Sequence, residues 1–191
     1  GGAMGDIGTH AENLAEYITG LKITELCADL TSFGEGRVLD DDANILLRFD
    51  NGARGLIHVS QIANGEENAL NIRVYGEKGG IEWHQMDPNT LIYKQQDIGT
   101  QLLRTGVGDL CEAAAAHTRV PAGHPEGYLE AFANLYRNFA NTLRKRLNGE
   151  EPNETDLDFP TIDDGVRGMA FIEAAVASSE TEEKWYPFTG E

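Results

Sequence analysis

The chain has 191 residues, is 40 % hydrophobic and 25 % charged, and carries a formal net charge of −17. That length buries a core without covalent staples. The acidity is spread along the chain and repels phosphate backbones and anionic lipid, which excludes nucleic acid and membrane surfaces as partners. No window approaches the 18 apolar residues of a membrane helix, no basic-apolar leader is visible, and Cys27 and Cys111 lack CxxC spacing. The cysteines read as reduced thiols, and the expected compartment is the cytoplasm.

Ile7, Ala11, Leu14 and Ile18 recur at helical spacing and predict a helix over residues 7–20, with Gly20 as its stop. KITELCADLTSF (22–33) has strand composition, and GEGRVLDDD is a loop. In ANILLRFDNGARGLIHVSQI, Ile45, Leu47 and Phe49 alternate into Asn51-Gly52, and Ile57 and Val59 alternate out of it. Asn-Gly tolerates positive φ, so this predicts a β-hairpin. A second hairpin follows, with Leu70, Ile72 and Val74 before GEKGG and Ile81 and Trp83 after it; short strands around LIYK and QLLR complete the set. Residues 109–123 form a link. Pro125 suits the first turn of a long helix, whose apolar stripe is Tyr128, Phe132, Leu135, Phe139, Leu143 and Leu147 and which ends at Gly149. There the run Arg144-Lys145-Arg146 complements the helix dipole. Thr161 and Asp164 form a capping-box pair ahead of a last helix with its face at Val166, Met169, Ile172 and Val176, and the tail EKWYPFTG is extended. The order is helix, six or seven strands, long helix, helix. It predicts a single α+β domain over residues 1–191, a large open, mostly antiparallel sheet with helices packed on one face. With no βαβ units, no doubly wound nucleotide domain is expected within the chain.

Asp6, His10, Asn13 and Tyr17 form a polar stripe beside the apolar one on the first helix. A carboxylate one turn from an imidazole orients the ring and favours its protonated form, an arrangement suited to general acid–base work on a hydroxyl. The same pair is also what an ordinary capped helix start offers. Two such residues are too few for a metal site, and no third ligand stands at motif spacing.

Five stretches in order resemble the C-terminal domain of the Gfo/Idh/MocA oxidoreductases, the glucose–fructose oxidoreductase and inositol dehydrogenase family: GGAMGDIGTHAENLAEYITG, FDNGARGLIHVSQ, IRVYGEKGGIEW, GHPEGYLEAFANLY and DGVRGMAFIEAAVASSE. The resemblance implies an NAD- or NADP-dependent enzyme acting on a sugar or cyclitol hydroxyl. It implies His10 as the acid–base residue, Asp6 as its support, and Asn13 as a substrate contact. It also implies self-association through the open sheet face. His124 and Glu126, at the mouth of the long helix, are further candidates for a polyol contact; as plain polar residues near a helix start they would have no such role. The Gly-rich phosphate loop of that family is not present, since GEKGG joins two strands and precedes no helix. The cofactor is therefore expected to be held mainly by a separate N-terminal Rossmann domain, and the chain alone is expected to be inactive. The rival expectation is a non-catalytic sugar-binding or interaction module, and a weaker one is a metal-dependent hydrolase.

Overall fold

The computed structural model describes residues 2–190. Its elements are a π-helical turn Met4–Gly8 running into α1 (Thr9–Thr19), then β1 (Ile23–Thr31), β2 (Asp42–Phe49), β3 (Arg54–Ser60), β4 (Asn71–Gly76), β5 (Gly79–His84), β6 (Thr90–Gln95), β7 (Gly99–Arg104), α2 (Glu112–Ala116), α3 (Tyr128–Leu147), α4 (Ile162–Glu180) and β8 (Tyr186–Pro187). The class is α+β, and every strand pair is antiparallel. The strands divide into two open sheets, ordered β3-β2-β1-β8 and β4-β5-β6-β7. The chain forms two compact units: one joins the residues up to Glu67 with those from Thr161 onward, and the other is Asn68–Pro160.

The first unit holds the apolar core. Alternation along β2 and β3 turns Ala43, Ile45, Leu47, Phe49, Ile57 and Val59 to one face, where they are buried with Leu26 and Ala28 of β1. The hairpin turns through Asn51-Gly52: Gly52 has φ +89, and the Asn51 side-chain oxygen accepts the Ala53 N–H at 2.9 Å. Helix α4 lies against β1 with Phe171, Ala174 and Ala175 inward. This is a different face from the one that the sequence suggests, for Val166, Met169 and Val176 are exposed. Small side chains explain the choice, because they let the helix approach the sheet closely. The approach also satisfies the edge of β1. Strand β8 pairs only with Glu25 and Leu26, and beyond it the Ala28 and Leu30 N–H groups donate to the hydroxyls of Ser178 and Ser179, each at 3.0 Å. Thr161 and Asp164 form the capping box at the start of α4.

Helix α1 begins earlier than its periodicity indicates, and its entry is π-helical. Asp40 closes this end: its carbonyl accepts the Ala3 N–H at 2.8 Å and its carboxylate the Met4 N–H at 2.7 Å. Gly20 ends the helix in the left-handed conformation, with φ +68. The deepest residues are Met4 and Gly8 of the π turn and Glu12 and Glu16 of α1, not the predicted row, of which Ile18 is exposed.

In the second unit β4–β7 form a meander. Ile72, Val74, Ile81, Trp83, Leu91 and Tyr93 share one half-buried face. The alanine run carries a short helix, α2. Helix α3 starts at Tyr128, so Pro125 lies ahead of its first turn, and Glu130 caps it by accepting the Gly127 N–H at 2.8 Å. Asn134, Asn138 and Thr142 are its buried residues, and the apolar stripe expected to face a core is exposed.

Candidate active site on the first helix

The π turn places Asp6 at the surface, and α1 carries His10 and Asn13 there as well; all three are exposed. Asp6 and His10 are not within ion-pair distance. A π turn spreads its residues over more than the 3.6 of an α-helix, which breaks the one-above-the-other stacking that four-residue spacing otherwise gives. The Asp6 carboxylate instead accepts a hydrogen bond from the Gln61 side-chain amide at 2.9 Å. Gln61, just past the end of β3, is thereby a neighbour of the pair that the sequence reading did not single out. Among the described residues His10 has no hydrogen-bond or ion-pair partner, so both ring nitrogens are open to a ligand.

Beneath the exposed stripe lies a buried charge cluster. Glu16 accepts two hydrogen bonds from Arg167 of α4, at 2.8 and 2.5 Å, one from Lys22 at 2.7 Å and one from the Ile23 N–H at 2.9 Å. Burial pushes Glu16 up, but these donors outweigh it and hold the carboxyl below its ordinary range. Glu12 is also buried, and its nearest cation is Arg167 at 3.8 Å. Burial, together with the charge of Glu16, raises Glu12 to about 7. The cluster pins the helix that bears His10 against α4. Glu12 and Glu16 stand four residues apart, as surface carboxylates commonly do. Their burial follows from an arginine 151 residues distant from Glu16, a partner that local sequence does not announce.

His124 and Glu126 belong to the second unit. His124 is exposed, and its Nδ1 donates to the Pro121 carbonyl at 3.1 Å, which leaves Nε2 free to accept. The Glu126 carboxylate is turned into its own loop: it accepts the Arg119 N–H at 2.9 Å and lies 3.6 Å from the Arg119 guanidinium. Asn89 brackets the Glu126 backbone on both sides, accepting its N–H at 3.1 Å and donating to its carbonyl at 2.7 Å. Glu126 thus shapes the approach to α3, while His124 is the member of the pair with a free polar atom.

Residues 1–82 match the family described as GFO/IDH/MocA C-terminal domain. Over 187 residues the chain is 35 % identical to the oxidoreductase YfiI of Bacillus subtilis, covering 97 % of this chain and 48 % of that protein. An oxidoreductase from Sinorhizobium meliloti superposes with a TM-score of 0.89 at 47 % identity, over 96 % of this chain and 51 % of that one. Residues 1–82 of this chain belong to the GFO/IDH/MocA C-terminal domain family. An inositol dehydrogenase homologue from Azotobacter vinelandii, solved with NADH and myo-inositol, matches with a TM-score of 0.88 at 33 % identity, over 97 % of this chain and 50 % of that one. The chain therefore spans about half the length of these relatives.

The dinucleotide that membership of the GFO/IDH/MocA family implies finds no cradle among the described residues of this domain. Phosphate cradles of that kind are built where a strand enters a helix through a glycine-rich turn, with helix N–H groups facing the anion. The turn at Gly76–Gly80 joins β4 to β5, two antiparallel strands, and leads into no helix.

Proposed function

We propose that this GFO/IDH/MocA domain supplies the substrate side and the acid–base residue of an NAD- or NADP-dependent oxidoreductase acting on a sugar or cyclitol hydroxyl, with the cofactor held by a separate nucleotide-binding half. The observation that carries the reading is the exposed stripe of the π turn and α1, where His10 has no partner among the described residues and Asp6 is held by Gln61. Co-occurrence of NADH and myo-inositol in the Azotobacter vinelandii homologue supports the substrate class. In this reading His10 takes the proton from the reacting hydroxyl in oxidation and returns it in reduction; imidazole does this near neutral pH. Asp6 supports the charge that develops on the ring from its anchored position. Asn13, on the same helix face, contacts a neighbouring hydroxyl; His124, in the second unit, is a separate candidate for a polyol contact through its Nε2.

The domain is also proposed to self-associate through the outer face of the first sheet. Cys27, Leu46 and Leu56 form a cross-strand row there, with Leu46 and Leu56 exposed.

The decisive experiment joins this chain to a nucleotide-binding half and screens polyols with both cofactors. His10→Ala is expected to lower kcat by about 10²–10⁴-fold with the fold intact, the usual worth of a positioned acid–base group. Undiminished turnover removes His10 from the reaction. Tight sugar binding by the chain alone, without turnover in the joined protein, assigns it instead to a binding module.

A further inference from the structure

We infer that the outward face of α3 is a contact surface for a second copy of this chain, paired antiparallel across a two-fold axis at the helix midpoint. Helix α3 is amphipathic with its polar side inward. Asn138 donates to the Asp158 carbonyl at 3.0 Å, Thr142 to the Asp156 carbonyl at 2.7 Å, and Arg137 to the Ala116 carbonyl at 2.8 Å. These bonds fix the rotation of the helix, so its apolar stripe cannot turn inward. Tyr128, Phe132, Tyr136, Phe139, Leu143 and Leu147 are left 44–77 % exposed. At ordinary side-chain sizes they present on the order of 700 Å² of apolar surface, more than a monomer usually leaves in one patch and close to one partner's share of a standard interface.

The stripe is symmetric about the point between Arg137 and Asn138. Tyr128 and Leu147 are equidistant from it, as are Phe132 and Leu143, and Tyr136 and Phe139. Turning a second helix end for end therefore sets each aromatic ring of one copy against an aliphatic or aromatic partner of the other, the self-complementarity that a two-fold contact requires. Electrostatics favours the same occupant. The chain carries −17 overall, yet the one carboxylate on α3, Glu130, is spent on the Gly127 N–H, and the exposed charges along the helix are Arg144 and Arg146. Two copies meeting here bring no carboxylates together. This face lies on α3, apart from the Cys27–Leu46–Leu56 row of the first sheet, and its use does not depend on the catalytic reading.

Light scattering on the 191-residue chain at high concentration tests the pairing. Phe132→Glu with Phe139→Glu is expected to halve the assembly mass with unchanged circular dichroism. In a second protein, Cys27→Ser and Cys111→Ser with Tyr136→Cys and Phe139→Cys, oxidation is expected to give a covalent dimer, because those two positions face each other across the axis. A wild-type chain that stays monomeric, a mass unaffected by the glutamates, or no cross-linked dimer overturns the proposal. So does protection of α3 by a separately supplied nucleotide-binding half acting on a monomeric chain, which would assign the face to that half.

Discussion

Glu12 is the residue whose titration the fold changes most clearly. Its carboxyl is raised to about 7 by burial and by the neighbouring Glu16 charge, against the partial relief of Arg167 and Lys22, with Asp164 adding to the rise. A carboxyl raised on folding binds its proton more tightly in the native state. Its contribution to stability is therefore complete below the unfolded value near 4.5 and is lost as the pH climbs through 7. The difference across that window is about 3 kcal/mol. Glu12→Gln is expected to flatten this dependence, raising the denaturation midpoint at pH 8 while leaving it nearly unchanged at pH 4.5; parallel pH–stability curves for the two proteins would exclude Glu12 as the source. Gln61 acts at the same scale on Asp6. Gln61→Leu frees the carboxylate from its anchor and, under the acid–base reading, lowers kcat/KM by about tenfold, the worth of one hydrogen bond to a charged group. The pH–rate profile should shift with it, a change that a merely structural glutamine would not produce.

Among the elements, α4 depends most on two small hydroxyls. The Ser178 hydroxyl accepts the N–H of Ala28 in the buried core, at a stretch of β1 that β8 does not reach. Ser178→Ala leaves that N–H without a partner and is expected to cost about 1–3 kcal/mol in chemical denaturation, whereas Ser179→Ala, at the less buried Leu30 N–H, should cost less. The elements themselves were largely legible in the sequence. Alternation around Asn51-Gly52 and around GEKGG located four strands, Gly20 the end of α1, and Thr161 with Asp164 the start of α4, because turn and cap chemistry is local. Which face of each helix turns inward was not legible. Phe171, Ala174, Ala175 and Ser178 recur at helical spacing as well as Val166, Met169 and Val176 do, and only the sheet decides between them. In α3 the larger apolar side chains point outward because Asn134, Asn138 and Thr142 find buried backbone partners. The site divides in the same way. The sequence marked the exposed stripe of Asp6, His10 and Asn13, while Gln61 and the Glu12–Glu16–Arg167 cluster came only with the fold, since their partners lie 55 and 151 residues away.

At the scale of the whole molecule, a chain with a net charge of −17 keeps its copies apart unless a surface offers something other than carboxylates. The Cys27–Leu46–Leu56 row is one such surface. Leu46→Glu with Leu56→Glu adds acid to an exposed face and should weaken sheet-mediated association without unfolding the domain; sedimentation equilibrium at low and high salt reads the effect. An assembly that keeps its mass with both glutamates in place would locate association elsewhere.

The first unit is discontinuous: its sheet is laid down early in the chain, but Phe171, Ala174 and Phe188, which seal the core, arrive only after Thr161. During synthesis the residues of the second unit emerge as an uninterrupted block before that seal is available. The hairpin of β2 and β3 must then wait with only Ala3, Met4 and the first helix against its apolar side while nearly a hundred further residues are made. Long-range closure of this kind slows folding and prolongs aggregation risk, so early termination near Pro160 would release a nascent chain whose natural fate is capture by chaperones or proteolysis.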